Sequence, residues 1–520
     1  MSSGTLTARS RARGVPLFAI STLVAAALLG PIVLVVLQAR QSRSDEIHRV
    51  IFRSLTVELL GHTAVLALSV GGACAVIGTA AAWCVERTTV PLRRLWAVIV
   101  VLPVAIPDFV VGFAWHSVAE PVRGLRGAVL VMTLALYPLV YLPVAAALRR
   151  SDPALEEAAR ALGHGPWSTF VRVTLRQVRP ALLGGTLIVV LAMLSEYGAF
   201  EIVGYRTFTT EIFAERKIDV AAAAATSVIL VLVGIVVLAG EALASRQGGG
   251  VGQPRASARP PTRHVLGRSR GPALLGMAAL AGAGVGVPIG TLIYWMSVSQ
   301  HTTLPHTTSL LAATAHTAGY SAAAAALATV LALPIAVLAL RRGGWAAMVL
   351  ERSTYLARSV PGLVVAIALA FFALRWVPSL YQSGTLLVIA YAIIFFPLAL
   401  VCVRASVAQA PPLLEDVGRS LGQRPLSVLR RVTLPLVAPG LAAGFSLVFL
   451  SAVTELTATL ALRPTGVDTL ATEFWKFQSV TSYGAAAPYA AVIVAVAALP
   501  SVLLSRWFDR RPGAAVVVAT

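Results

Sequence analysis

The sequence predicts an all-α polytopic membrane protein of about twelve transmembrane helices, and three observations carry that expectation. Of its 520 residues 57% are hydrophobic and 12% charged, against roughly a quarter charged in soluble domains. Apolar stretches long enough to cross a hydrocarbon core of about 30 Å as helices recur along the whole chain. A polar, arginine-bearing passage, EEAARALGHGPWSTFVRVTLRQVRP, returns at an offset of 259 as EDVGRSLGQRPLSVLRRVTLPLVAP.

Taken in order, the apolar stretches fall at 16–38, 59–84, 95–116, 127–148, 181–203 and 221–244, then at 273–297, 310–340, 359–374, 384–403, 437–462 and 485–505. The first is too long for a signal-peptide core and is followed by a poor cleavage site, so it is expected to stay as a helix. With the N-terminus inside, cytoplasmic segments hold 30 of the 42 Lys and Arg residues. That asymmetry accounts for the net charge of +20 as an orienting device and calls for no nucleic-acid partner. Both termini are expected on the cytoplasmic side of the cell membrane. Cys74, Cys84 and Cys402 sit in apolar stretches without metal or redox spacing and read as packing residues.

The chain divides into two halves. At the offset of 259, 16 of the 33 positions from 153 to 185 are identical, and an offset of 254 superposes HTA at 62–64 on HTA at 316–318 and Pro107 on Pro361. Residues 1–244 and 273–511 therefore read as two six-helix repeats. An even number of spans per repeat makes the two parallel, related by a pseudo-twofold axis along the membrane normal. The Gly-, Pro- and Arg-rich stretch 245–272 reads as a flexible cytoplasmic linker, solvated rather than lipid-bound, and 512–520 as a C-terminal tail.

The repeated passages, 152–180 and 411–439, read as helix, glycine bend and helix. Asp152 can cap a helix that starts at Pro153, and Gly163 supplies a left-handed stop. Such an elbow is too polar for lipid and too short to fold alone. It needs a protein partner.

The pattern Glu-Ala-Ala, three residues, Gly, in EEAARALG, resembles the cytoplasmic signature of binding-protein-dependent ABC importer permeases; the second copy, EDVGRSLG, departs at both alanines. The resemblance implies the type I importer fold, with each elbow as a coupling helix seated in a groove of an ATPase subunit. The implied coupling residues are Glu156, Glu157, Ala158, Ala159 and Gly163, with Glu415, Asp416 and Gly422 in the weaker copy. The only lysines, Lys217 and Lys476, lie outside any Gly-Lys-Ser/Thr loop, so the chain is read as a transport subunit with no ATPase or other catalytic site and no cofactor of its own. ATP and Mg are expected on two copies of a separate ATPase.

The length, the fused repeats and ELTATLALRPTGVDTLATEFW at 455–475 resemble permeases of the ferric iron importer class, with thiamine and aminophosphonate permeases as alternatives. An extracytoplasmic substrate-binding protein is then the expected outer partner, met by Arg206, Glu211, Arg463, Asp468 and Glu473. Surrounding lipid is the remaining one. A secondary transporter is the reading from another class, but the acidic residues noted within spans are few: Glu196, Glu201, Glu241 and Glu455. His62 and His316 recur at matching helix ends and read as packing or hydrogen-bonding residues.

Glu196 and Glu455 stand 16 residues after Pro180 and Pro439, roughly 24 Å along a helix. With Tyr197 they are candidates for the translocation path. The two carboxylates are also candidate transient ligands for a hard cation; the competing reading has them merely holding helices together.

Overall fold

The computed structural model describes residues 15–41, 52–119, 121–247, 263–299, 304–341 and 360–509, with 345, 349, 350 and 354. The segment before residue 15, most of the expected linker (248–262) and the tail 512–520 lie outside the described residues.

Helices account for every element among the described residues except one isolated bridge, between Thr88 and His264. The first repeat runs through α1 (Val15–Gln41), α2 (Ser54–Arg87), α3 (Arg93–Ile99), α4 (Asp108–Val118), α5 (Gly124–Leu136), α6 (Pro138–Arg150), α7 (Pro153–Ala161), α8 (Leu175–Ser195), α9 (Gly198–Val203), α10 (Phe208–Glu215) and α11 (Val220–Gln247). The second follows with α12 (Arg270–Ala281), α13 (Val287–Val298), α14 (Thr307–Arg341), α15 (Gly362–Trp376), α16 (Gly384–Gln409), α17 (Pro412–Ser420), α18 (Leu434–Val453), α19 (Thr457–Leu462), α20 (Leu470–Ser479) and α21 (Tyr483–Asp509).

Each of the twelve expected stretches coincides with an apolar helix, but by length the count is lower. Nine helices among the described residues are long and apolar enough to cross a membrane, or ten with the bent pair Arg93–Ala105 and Asp108–Val118; Gly362–Trp376 and Tyr483–Ala498 are shorter. The pair bends by 92° at Ile106 and Pro107, where the chain turns extended and Pro107 has no N–H to continue a helix.

Two further spans differ from their expected form. The stretches 181–203 and 437–462 are each broken: α8 ends at Ser195 and α9 begins at Gly198, while α18 ends at Val453 and α19 begins at Thr457. At their other ends they are longer than expected. The elbow's second helix runs straight into the span from Pro166 and from Pro425, through a π-turn at Phe170–Thr174 and its counterpart at Leu429–Thr433. The repeat thus preserves an irregularity of helical winding as well as a sequence.

The repeats interlock. One core joins Val24, Leu28 and Val35 of α1 to Leu363, Val364 and Ile367 of α15; the other joins Leu292 of α13 to Val110 and Phe113 of α4. The first helix of each repeat therefore packs on the other repeat, which fastens the halves around a shared seam.

Candidate functional site

In the first elbow Asp152 accepts a hydrogen bond from the Ala154 N–H at 2.9 Å and caps α7 as its sequence predicts. Gly163 (φ +84°) and Gly422 (φ +77°) adopt the left-handed stop. The turn closes identically in both copies: His164 N–H donates to the Ala159 carbonyl at 3.1 Å, and Gln423 N–H to that of Gly418 at 3.2 Å.

Glu156 does not face a partner. It is 1% exposed, ion-paired with the fully buried Arg87 and accepting from Thr174 Oγ1 at 2.8 Å. Arg87 also donates to Ser151 Oγ at 3.1 Å, so the end of α2, the α6–α7 corner and the π-turn close on one carboxylate. The second repeat reproduces the clamp: Glu415 pairs with Arg341 at 3.3 Å and with Arg419 at 3.2 Å. Arg87 and Arg341 are related by the offset of 254. Ala159 is buried on the same face. Glu157, Ala158 and Asp416 face outward, Asp416 paired to Arg419 at 3.0 Å.

Beside them lies an apolar surface matched between the elbows. Leu162 and Leu421 are 80% and 74% exposed, Trp167 and Leu426 76% and 56%, Leu155 and Leu414 48% and 44%. Three pairs of large apolar side chains at equivalent positions are thus left exposed.

The linker is not wholly loose. His264 forms a parallel bridge with the end of α2, donating its N–H to the Arg87 carbonyl at 2.8 Å and accepting from Thr89 N–H at 3.1 Å. Its ring stacks on Trp83 at 5.4 Å. Burial, and then Arg160 and Arg87, push its imidazole below the ordinary range.

Remote from the elbows, Glu196 and Glu455 stand at the helix breaks. Each caps the helix that follows: Ala199 N–H donates to Glu196 Oε1 at 2.7 Å and Ala458 N–H to Glu455 Oε1 at 2.8 Å. A methyl group on Gly198 would lie 2.6 Å from Leu456 Cδ2 and 2.9 Å from Phe109 Cβ, so both repeats converge there. Asp108, which the sequence reading passed over, joins them: Glu196 lies within the electrostatic reach of Asp108 and Glu455. In the second repeat the position of Asp108 is Gly362, where an added methyl would lie 3.5 Å from Glu455 Oε1. Tyr197 is 4% exposed and packs on Phe213 and Trp475 at ring distances of 4.3 Å and 5.4 Å, so it walls the seam rather than opening onto it. Among the described residues no group of three or more His, Cys, Asp or Glu is placed to hold a metal ion.

The outer loops match too. His62 Nδ1 meets the Arg206 carbonyl at 3.2 Å and His316 Nδ1 that of Asp468 at 3.0 Å, which accounts for the recurring histidines. Arg206 pairs with Glu211 at 3.0 Å and Arg463 with Asp468 at 2.8 Å; Arg206, Arg463 and Asp468 are exposed. Glu473 is not a rim residue, being 6% exposed and paired with Lys476 at 3.0 Å.

Two interlocked repeats, each with an elbow clamped to the bundle and an apolar face left open, define a two-repeat helical membrane protein. The chain belongs to the family described as binding-protein-dependent transport system inner membrane component, matched over residues 74–247 and 328–513. It is therefore an inner-membrane subunit of a binding-protein-dependent transport system. It is 34% identical over 483 residues to the Fe(3+)-transport system permease protein FbpB 2 of Haemophilus influenzae, covering 92% of this chain and 95% of that protein. Similarity to the molybdenum transport system permease protein ModB of Escherichia coli is 31% over 135 residues, covering 23% of this chain and 58% of that one. The sulfate transport system permease protein CysW of Synechocystis matches at 31% over 188 residues, 31% of this chain and 67% of that one.

Proposed function

We propose that this chain is the transmembrane permease subunit of an ATP-driven importer for ferric iron. An extracytoplasmic binding protein delivers the ion at the loops bearing Arg206 and Arg463. Two ATPase copies, carrying ATP and Mg, bind the two elbows on the cytoplasmic side, where both termini also lie. The observation that carries the coupling half of this reading is the matched exposed apolar triplet of the elbows, suited to lying in a groove of the ATPase as an amphipathic helix does. Because Glu156 and Glu415 tie each elbow to the end of a long helix, movement of the ATPases is passed to the bundle as movement of α2 and α14.

The likeness over nearly the whole length to an Fe(3+) permease supports iron as the cargo. So does chemistry at the seam. Asp108, Glu196 and Glu455 are hard oxygen donors that, although not grouped to hold an ion together, suit the passage of a cation, and they would repel the sulfate for which the CysW match is named. Thiamine and aminophosphonate remain the competing cargoes. The test is ATP hydrolysis by the assembled transporter in the presence of binding protein loaded with ferric iron, thiamine or an aminophosphonate. Iron alone should stimulate hydrolysis; stimulation by either of the others in its place refutes the assignment.

A further inference from the structure

At the end of the bundle remote from the elbows, between the repeats, lies a cavity of about 550 Å³. One wall is apolar, formed by α15 through Ile367, Phe371 and Leu374. Arg216, Lys217 and Arg463 line it as well. Arg463 is balanced by Asp468 at 2.8 Å and Lys217 lies within the electrostatic reach of Glu201, while among the described residues Arg216 forms no ion pair. Arg216 spends one N–H on the Ala461 carbonyl at 2.9 Å, across the seam, and both cations rest against the Phe213 ring, at 5.1 Å and 5.5 Å. On the same cavity Gln38 of α1 is 8% exposed, and its Oε1 finds no hydrogen-bond partner in the protein.

These features ask for one kind of occupant. A part-buried guanidinium with no carboxylate partner favours an anion beside it, and a buried amide oxygen with no donor is costly. An acid group answers the first need and a hydroxyl the second. A small soluble anion would still leave the α15 wall uncovered, whereas an acyl chain covers it. We propose that the cavity is a binding site for an anionic phospholipid with a hydroxylated headgroup, such as phosphatidylglycerol. Its phosphate meets Arg216 and Lys217, its headgroup hydroxyl meets Gln38, and one chain lies along α15. Basic pockets between transmembrane helices hold acidic headgroups by this chemistry. Here the lipid would bridge α1 of one repeat to α15 and α19 of the other, acting as a staple across the seam.

The full-length chain, purified in mild detergent, tests this by native mass spectrometry with phosphatidylglycerol, phosphatidylcholine or inorganic phosphate added. Phosphatidylglycerol should be retained and phosphatidylcholine lost. Arg216→Gln with Lys217→Gln should weaken retention by about tenfold, and with phosphatidic acid as a further addition the parent should prefer phosphatidylglycerol while Gln38→Leu should retain the two equally. Lys217→Gln alone changes an exposed side chain, so it should fold normally and still lower retention. Equal retention of phosphatidylcholine, displacement of the lipid by inorganic phosphate at equal concentration, or retention unchanged in Lys217→Gln overturns the proposal.

Discussion

The buried carboxylate of Glu156 is locked to the guanidinium of Arg87, 69 residues earlier, and the same bond recurs between Glu415 and Arg341. Removing one partner of a buried ion pair leaves an uncompensated charge, at a cost of about 3–5 kcal/mol. Arg87→Ala should therefore detach the first elbow, and Glu156→Lys, which sets two cations together, should do so more severely. ATPase co-purification and ATP-driven uptake should both fall. The exchange Arg87→Glu with Glu156→Arg should recover part of the loss. No recovery beyond the single variants would show that the pair is not a clamp.

The glycine stops can be tested separately from the clamp. An added side chain at Gly163 or Gly422 meets open space, so only the positive φ penalises it. Replacement by Val should cost roughly 1–2 kcal/mol in backbone strain, leaving the chain inserted while re-aiming the elbow. ATP hydrolysis should then continue with reduced transport. Parental transport rates in both variants would remove the bends from the coupling account.

Trp167 and Leu421 expose most of their apolar surface, and among the described residues the one ring contact Trp167 makes is with Phe170 at 5.7 Å. Trp167→Asp should leave thermal stability nearly unchanged and weaken ATPase binding; Leu421→Asp should do the same on the other side. Pull-down of the ATPase from co-expressing cells reads both. A large loss of stability with unchanged binding would mean that these faces belong to the bundle instead.

His264 adds a pH dependence to the first elbow. Its folded-state value lies below the ordinary value of about 6.5, because burial and the cations Arg160 and Arg87 oppose the imidazolium while Glu156 favours it. The clasp is therefore intact above the ordinary value and is lost as pH falls through the lowered one. Transport measured from pH 7.5 down toward roughly pH 5 should decline more steeply in the parent than in His264→Phe, which stacks on Trp83 without titrating. Identical profiles would remove His264 from the coupling path.

The elbows were legible because a polar stretch repeated in a greasy chain has no other explanation, and Asp152, Pro153 and Gly163 spell out helix boundaries locally. Their inward face was not. Glu156 finds its partner through the tertiary fold, and the clue that Arg87 falls on Arg341 lies at offset 254, whereas the elbows align at 259. The helix breaks at Glu196 and Glu455 were hidden by apolar continuity on both sides. Asp108 escaped for a related reason: Gly362 occupies its place in the second repeat, so comparing the halves gives no matching acid.

The most direct test of the central claim is simultaneous measurement of ATP hydrolysis and radiolabelled iron accumulation in proteoliposomes holding the chain, its ATPase and an iron-loaded binding protein. The parent should accumulate iron only with ATP. Glu196→Gln with Glu455→Gln, which keeps the shape and the helix-capping oxygen but removes charge, should hydrolyse ATP normally while iron accumulation collapses. Full iron accumulation in that double variant, or accumulation in the parent without ATP, would contradict an ATP-driven cation path through the carboxylate seam.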